Sequence, residues 1–453
     1  MPVYGVSSLV LALLPLLAVA AGMVVVWRWQ ERTHTALWWW VPLGVVAAMG
    51  LYALLVVVLV RLLGWRLSPG ITAVRSARGW RVWCIERLLD DARTYLFPMY
   101  ASLITPWWFR LLGAKVGKGV EISTAVMVPA LSEIRDRAFL ADDTLIGGYE
   151  LGGGWMRLGR TIIGKRSFVG NSGIALQGRK LAKNSLVAVL SQVPKKARSG
   201  SNWWGSPPER MRRVTVNSCA ADTSTFYPTV GKKFLHAMVE ILRLTAPITS
   251  GFLLAAVLVS AQWLLDFGVV PAVVGTGIAL CVAGALAITI TAAVKWCTVG
   301  RHRPGNHPLW SWFVWFNELQ DIFVEVVATP WFFQHCTGSG LMNAGLRLLG
   351  VHIGPGAWIE SYWFPETDLC HVGTAATVGP GTVVQTHLFH DRVMSLDHVH
   401  IGAGATLAAH SIMLPTSRIG EATTVGPGSL VMRGDDVPAH SHWQGNPIAT
   451  TTT

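Results

Sequence analysis

The chain has 453 residues, 51% of them apolar and 14% charged, against roughly 25% charged in an ordinary soluble domain. That balance excludes intrinsic disorder and argues against a wholly soluble enzyme, while 46 glycines and 23 prolines argue against a chain wholly embedded in a membrane. The net charge of +12 is uneven: residues 110–213 hold 18 Lys and Arg against 7 Asp and Glu, whereas residues 340–453 hold 4 against 8.

Four uncharged runs come in chain order as two pairs: Pro2–Trp27 with Ala36–Val60, then Leu244–Leu265 with Phe267–Val294. About 20 residues cross a bilayer, so each run predicts a membrane helix. The hairpin tips hold only Arg28, Glu31 and Arg32, and then Asp266. The opposite flanks carry Arg61, Arg66, Arg75, Arg78 and Arg81, then Lys232, Lys233 and Arg243, then Lys295, Arg301 and Arg303. The positive-inside bias predicts a multi-pass protein of the cell membrane with both soluble modules cytoplasmic. The expected divisions are a first hairpin (1–66), a juxtamembrane stretch (67–109), a first soluble module (110–215) and a linker (216–243). A second hairpin (244–296), juxtamembrane stretch (297–339) and module (340–453) follow.

This order reflects an internal duplication. Ile104–Ile122 resembles Ala328–Ile359, and Leu111 falls in the same place as Leu348. Each module closes on a related string, Trp203-Trp204-Gly205-Ser206-Pro207 and Trp443-Gln444-Gly445-Asn446-Pro447. Within each module a shorter period runs. Aliphatic–Gly pairs end at Gly117, Gly147, Gly159, Gly164 and Gly170, and again at Gly354, Gly373, Gly379, Gly402, Gly420 and Gly426. A step of six, as from Gly373 to Gly379, and a step of three sixes, as from Gly402 to Gly420, are the hexapeptide signature of a left-handed parallel β-helix. An aliphatic side chain turns inward on each edge of such a helix. The fold class is therefore membrane helical hairpins plus two left-handed β-helix domains. The longer step from Gly379 to Gly402 reads as one turn plus five residues, a loop bulging around Thr386–His400.

That bulge carries the candidate chemistry. His387 is the expected general base, because an imidazole titrates near neutrality. His390 is its alternative. Asp391 would orient the imidazolium, and Arg392 would hold a phosphate or carboxylate. Glu366 and Asp368, about one turn earlier, would bind an ammonium group. In the first module Tyr149 aligns with His387, and Gly153 and Gly154 with positions 391 and 392. Tyr149 and Glu150 are the proton-handling groups there, so at most one module is expected to perform histidine chemistry. Lys195 and Lys196, in the basic module, would dock a phosphate-bearing donor arm.

Six cysteines at scattered positions match no disulfide or zinc framework, and Cys370 reads as a core residue. His398 and His400 share one strand face, as do His440 and His442. No third ligand stands at a diagnostic spacing, so no metal site is expected.

The TDL and THLF-x-DRVM strings, the W-x-G-[SN]-P closures and the paired membrane helices together resemble the membrane-bound terminal region of ε-poly-L-lysine synthetase-type nonribosomal peptide synthetases. The resemblance covers nearly the whole chain. It implies an acyltransferase that forms amide bonds from a phosphopantetheine thioester, carrier-bound or CoA, with no tightly bound cofactor. The family strings fall on Glu366, Thr367 and Asp368, on His387, Phe389, Asp391 and Arg392, and on Tyr149, Glu150, Gly153, Gly154 and Trp155. The poly-lysine enzymes have three modules and six helices against two and four here. With no loading domains in the chain, a carrier protein and adenylation enzyme are expected in trans. The acceptor would be a small amine or hydroxyl compound, with no nucleic acid involved and an oligomer compatible with the fold. A CoA-dependent O- or N-acetyltransferase acting on a lipid or cell-envelope precursor, and a non-catalytic scaffold for a synthetase, are the competing readings.

Overall fold

A computed structural model describes residues 2–212, 221–390 and 392–451. The chain forms two compact units, Met1–Val214 and Thr215–Thr453, and each follows the same plan. A helical hairpin leads through a juxtamembrane helix and a short helix into a parallel β-helix, from which an antiparallel hairpin projects.

In the first unit, α1 (Pro2–Thr33) and α2 (Val41–Gly64) pack together. They approach closely because two glycines face each other. A Cβ on Gly22 would lie 2.5 Å from the Gly44 carbonyl oxygen, and one on Gly44 would lie 2.4 Å from Val26. Small residues at a crossing let helix backbones come together where lipid gives no hydrophobic drive. α3 (Ala77–Tyr95) starts at Ser76, whose hydroxyl accepts the Gly79 N–H at 3.1 Å, satisfying one of the orphan donors of a helix start. It buries Val82, Ile85, Leu88, Leu89 and Ala92, the stripe of an amphipathic helix. α4 (Thr105–Leu112) ends at Gly113, whose φ of 108° provides the left-handed C-terminal turn.

The second unit repeats this with α5 (Val230–Leu242), α6 (Thr245–Leu265), α7 (Val269–Thr298) and α8 (Trp312–Phe323). A π-helix over Val324–Phe333 continues α8, and a helix over Gly340–Leu349 leads into the β-helix. Among the described residues, four helical stretches are long and apolar enough to cross a membrane: Val3–Thr33, Val41–Gly64, Val230–Leu265 and Val269–Thr298.

Both β-helices are left-handed prisms built from two- and three-residue strands stacked in parallel. Their interiors are the aliphatic positions that the period of six predicts. Ile163, Val169, Ala175, Leu181, Val187 and Val193 are all at 0% exposure, and Ile401, Leu407, Met413, Ile419, Val425, Val431 and Val437 are at 0–3%. Each Val, Leu, Ile or Met burial among them contributes about 1.5–3 kcal/mol, so the ladder of inward residues holds the prism together.

The bulge differs from its expected size. Cys370 pairs with Val399, Thr377 with Thr406 and Val383 with Ile412, while beyond the insertion Thr406 pairs with Thr424. The rung that spans the insertion is therefore longer than an ordinary rung by eleven residues, not five. The step from Gly379 to Gly402 runs between different faces of the prism, which the glycine spacing alone conceals. The extra residues form an antiparallel hairpin, His387–His390 with Val393–Leu396, joined on its other side by Gly305–Pro308. The first unit has the same device. Tyr149–Gly152 pairs with Trp155–Leu158, which pairs with Gly70–Ala73. Its turn is made by Gly153 and Gly154 at φ 54° and 81°, the left-handed backbone that a two-residue type I′ turn requires.

Candidate functional site

His387 opens the hairpin of the second unit. It is 8% exposed, and its Nδ1 lies 2.9 Å from both Oε1 and Oε2 of Glu366. Glu366 is at 0% exposure and immediately precedes the 3-10 turn Thr367–Leu369, beneath the hairpin. It also accepts the Thr386 hydroxyl and, at 2.9 Å, the Asn317 side-chain amide. A buried carboxylate is costly unless its lone pairs are filled, and these donors fill them. Burial alone would raise the Glu366 carboxyl, but the charges of His387 and His302 and the hydrogen bonds from His387 and Thr386 outweigh it and hold the group down at about 2.

The network continues inward. Asn317 donates to Glu366, so its Oδ1 faces His302 Nε2 at 3.0 Å. The other ring nitrogen, Nδ1, is 2.9 Å from Asp368 Oδ2, which also accepts the His302 backbone N–H and, at 2.7 Å, Lys295 Nζ from the end of α7. His302 therefore bridges Asn317 and Asp368 through its two ring nitrogens. Burial would raise Asp368 as well, but hydrogen bonds from His302 and Lys295 hold it at about 2. Lys295, His302, Asn317, Glu366 and His387 come from a membrane helix, a loop, α8, the turn before a strand, and the hairpin. All are buried.

Several expected roles change. Glu366 and Asp368 are enclosed by internal donors, so they position neighbouring side chains rather than meet a substrate ammonium. Arg392 is 3% exposed, sits at φ 64°, donates to the Thr225 carbonyl and stacks on Phe226 at 5.0 Å. It is a packed residue of the second unit, not an exposed phosphate clamp. Asp391 lies outside the described residues; the carboxylate on Nδ1 of His387 is Glu366. His390 is half-buried and, three residues along an extended strand from His387, projects from the opposite face of the hairpin. Cys370 is fully buried, and burial, followed by the nearby Glu366 and Asp368 charges, pushes its thiol well up. It is a core residue, not a nucleophile.

The same positions in the first unit show how differently the duplicate is built. Ser76 and Ser311 precede α3 and α8, so Val82 stands where Asn317 stands. Counting back from the strands at Gly70 and Gly305, Leu67 replaces His302 and Val60 replaces Lys295. Val128 and Ala130 replace Glu366 and Asp368 around the equivalent 3-10 turn, Pro129–Leu131. Leu67, Val82, Val128, Leu131, Met156 and Leu158 form one apolar cluster against Ala130 and Tyr149. The polar string of one unit is thus an apolar core in the other.

Tyr149 takes the place of His387. Its hydroxyl donates to Glu86 Oε1 at 2.6 Å. Burial, then the hydrogen bond to Glu86 and its charge, raise the phenol, so it is no base near neutral pH. A cavity of about 170 Å³ beside it is lined in part by Glu86, Asp90, Arg93, Tyr100 and Phe109. Glu150 is exposed and accepts from Gln177 at 2.9 Å, Trp155 is 57% exposed at the hairpin, and Lys195 and Lys196 are exposed.

His302, Asn317 and Lys295 were not singled out from sequence as site residues. The only signal for them is the duplication itself: polar residues at buried positions whose counterparts are Leu67, Val82 and Val60.

No protein-family model matches the chain. Over 394 residues it is 34% identical to delta-poly-L-ornithine synthetase of Acinetobacter baumannii (strain AB307-0294), a match taking in 84% of this chain and 29% of that protein. The chain therefore spans less than a third of the length of this relative. Among solved structures it is similar to a galactoside acetyltransferase in complex with coenzyme A (19% identity, 26% of this chain and 74% of the other, TM-score 0.22). It is also similar to soybean serine acetyltransferase (17% identity, 42% and 68%, TM-score 0.21).

Proposed function

We propose that this chain, a relative of the poly-amino-acid synthetases, is an integral membrane acyl- or aminoacyl-transferase that makes an amide bond from a thioester, with His387 as the general base. The observation that carries the reading is the contact of His387 Nδ1 with both oxygens of a fully buried carboxylate. An Nδ1–H held by Glu366 fixes the tautomer, so Nε2 is the nitrogen that takes up a proton. The Glu366 charge then stabilises the imidazolium that forms.

In the step proposed, the acceptor amine attacks the thioester carbonyl carbon and the new C–N bond forms. His387 Nε2 takes the amine's proton, the tetrahedral intermediate breaks its C–S bond, and the departing sulfur receives the proton from His387. The donor is a phosphopantetheine thioester, carried by a protein loaded in trans by an adenylation enzyme or presented as CoA. The acceptor is a small amine. The first unit has an apolar cluster in place of the polar string, which supports a binding role for it. Its basic surface, with Lys195 and Lys196 exposed, suits the phosphate of the donor arm. The Lys/Arg-rich flanks favour a cell-membrane protein with both modules on the cytoplasmic side.

The test is product formation from a loaded carrier or acyl-CoA by detergent-purified protein. His387→Ala should lose about 10²–10⁴-fold in turnover, compared at a temperature where the variant is still folded, because removing the imidazole takes a donor from the buried Glu366 carboxylate and lowers the melting temperature. Near-wild-type turnover would favour a scaffold with its chemistry elsewhere.

A further inference from the structure

The second β-helix carries a histidine group that its strand register assembles. Strands His352–Ile353, Cys370–Val372 and Val399–Ile401 lie side by side on one face, with His352 beside His371 and His371 beside His400. Their rings stack at 4.7 and 4.5 Å between centroids. His398 enters from the chain leaving the His387 hairpin, and its Nδ1 lies 3.0 Å from His371 Nε2. One nitrogen from each of His371, His398 and His400 falls within a group spanning no more than 4.8 Å.

We propose that His371, His398 and His400 bind a divalent transition-metal ion, with zinc as the reference ion, and that the ion ties the base of the His387 hairpin to the prism. Three neutral imidazoles on adjacent backbones are a common set of zinc ligands, leaving a fourth position to water. Zinc–nitrogen bonds of about 2.0–2.1 Å in a tetrahedron put ligand nitrogens about 3.3 Å apart. The His371–His398 pair, at 3.0 Å, is already near that spacing. His400 is exposed and has the rotamer freedom to close the remaining distance.

The surroundings are mixed in charge. Arg418 lies in register beside His400, whereas Asp397 accepts the His398 backbone N–H at 2.8 Å and the Thr416 hydroxyl at 3.0 Å. The Asp397 N–H in turn donates to the Thr386 carbonyl at 2.9 Å, and Thr386 donates its hydroxyl to Glu366. An ion on His398 is therefore two residues from the hydrogen bonds that hold the partner of His387.

Chelator-stripped, tag-free full-length protein in detergent should take up one equivalent of Zn²⁺ in competition with a chromogenic chelator, and its melting temperature should rise by several degrees. His398→Ala and His400→Ala should each bind at least 10-fold more weakly and lose most of the rise. His352→Ala, which removes a stacking ring but no ligand, should stay within about 3-fold of wild type. Equal zinc affinity in wild type and in His371→Ala/His398→Ala/His400→Ala would overturn the proposal. So would loss of binding in His440→Ala/His442→Ala with retention in the single ligand variants.

Discussion

Glu366→Gln keeps the size and shape of the side chain and removes only its charge. Glu366 now accepts from His387, from the Thr386 hydroxyl and from Asn317. A hydrogen bond to a charged group contributes about 1.5–3 kcal/mol, and a neutral amide keeps one acceptor oxygen while adding an NH₂ that must donate. Of the groups around it, Asn317 Nδ2 is itself a donor. His387 Nδ1 can accept only if the ring hydrogen moves to Nε2, and that places a hydrogen on the nitrogen meant to receive one. The expected result is a fall in kcat of about 10²–10⁴-fold, or about 3–5 kcal/mol in the barrier, with KM little changed because Glu366 touches no substrate. Stability carries a second signature. The wild-type carboxyl is held at about 2 instead of 4.5, so its contribution is fully present above pH 4.5 and disappears as the pH falls towards 2. That contribution is of the order of 3 kcal/mol. The Gln variant should lose this part of the acid dependence and keep the part due to Asp368, which lies at about 2 against 3.8. Single-turnover amide formation and melting curves from pH 7 to pH 3 test both. Turnover within about 3-fold of wild type, with an unchanged acid transition, would refute the assignment of Glu366 as the partner that orients His387.

Three further outcomes are expected. Lys295→Met leaves Asp368 without its ammonium partner in a buried site and should cost about 3–5 kcal/mol. Lys295→Met/Asp368→Ala, which makes both positions apolar as Val60 and Ala130 are in the first unit, should recover much of that in thermal melts, and strict additivity would refute the coupling. Tyr149→Phe removes one hydrogen bond to Glu86, about 1 kcal/mol, and should leave amide formation within several-fold; a loss matching that of His387→Ala would give the first unit its own chemistry. Single cysteines at His34 and Ser199, in a background lacking the native six, should differ in intact cells, with an impermeant maleimide labelling only the former. Labelling at Ser199 would invert the topology.

The helical hairpins, the duplication and the prism were legible in the linear chain because each is a local repeat. Length of apolar run and a period of six act within a few residues, so the inward column from Ile401 to Val437 could be counted along the sequence. His387 stands out in the sequence as a candidate for a related reason: it lies where that period breaks. Its surroundings were not legible. Asp391 is four residues from His387 and looked like the natural partner, yet the carboxylate on its ring is Glu366, a full coil earlier in the chain, brought beneath the hairpin by the winding of the prism. Asn317, His302 and Lys295 come from a helix, a loop and a membrane span with no shared motif, and only burial distinguishes them from solvated polar residues. His371 joins His398 and His400 through the register of strands separated by an eleven-residue insertion that glycine spacing misjudged. Hydrophobic periodicity measures which face of an element turns inward, whereas a polar site depends on which elements meet, and that is decided only when the chain closes around them.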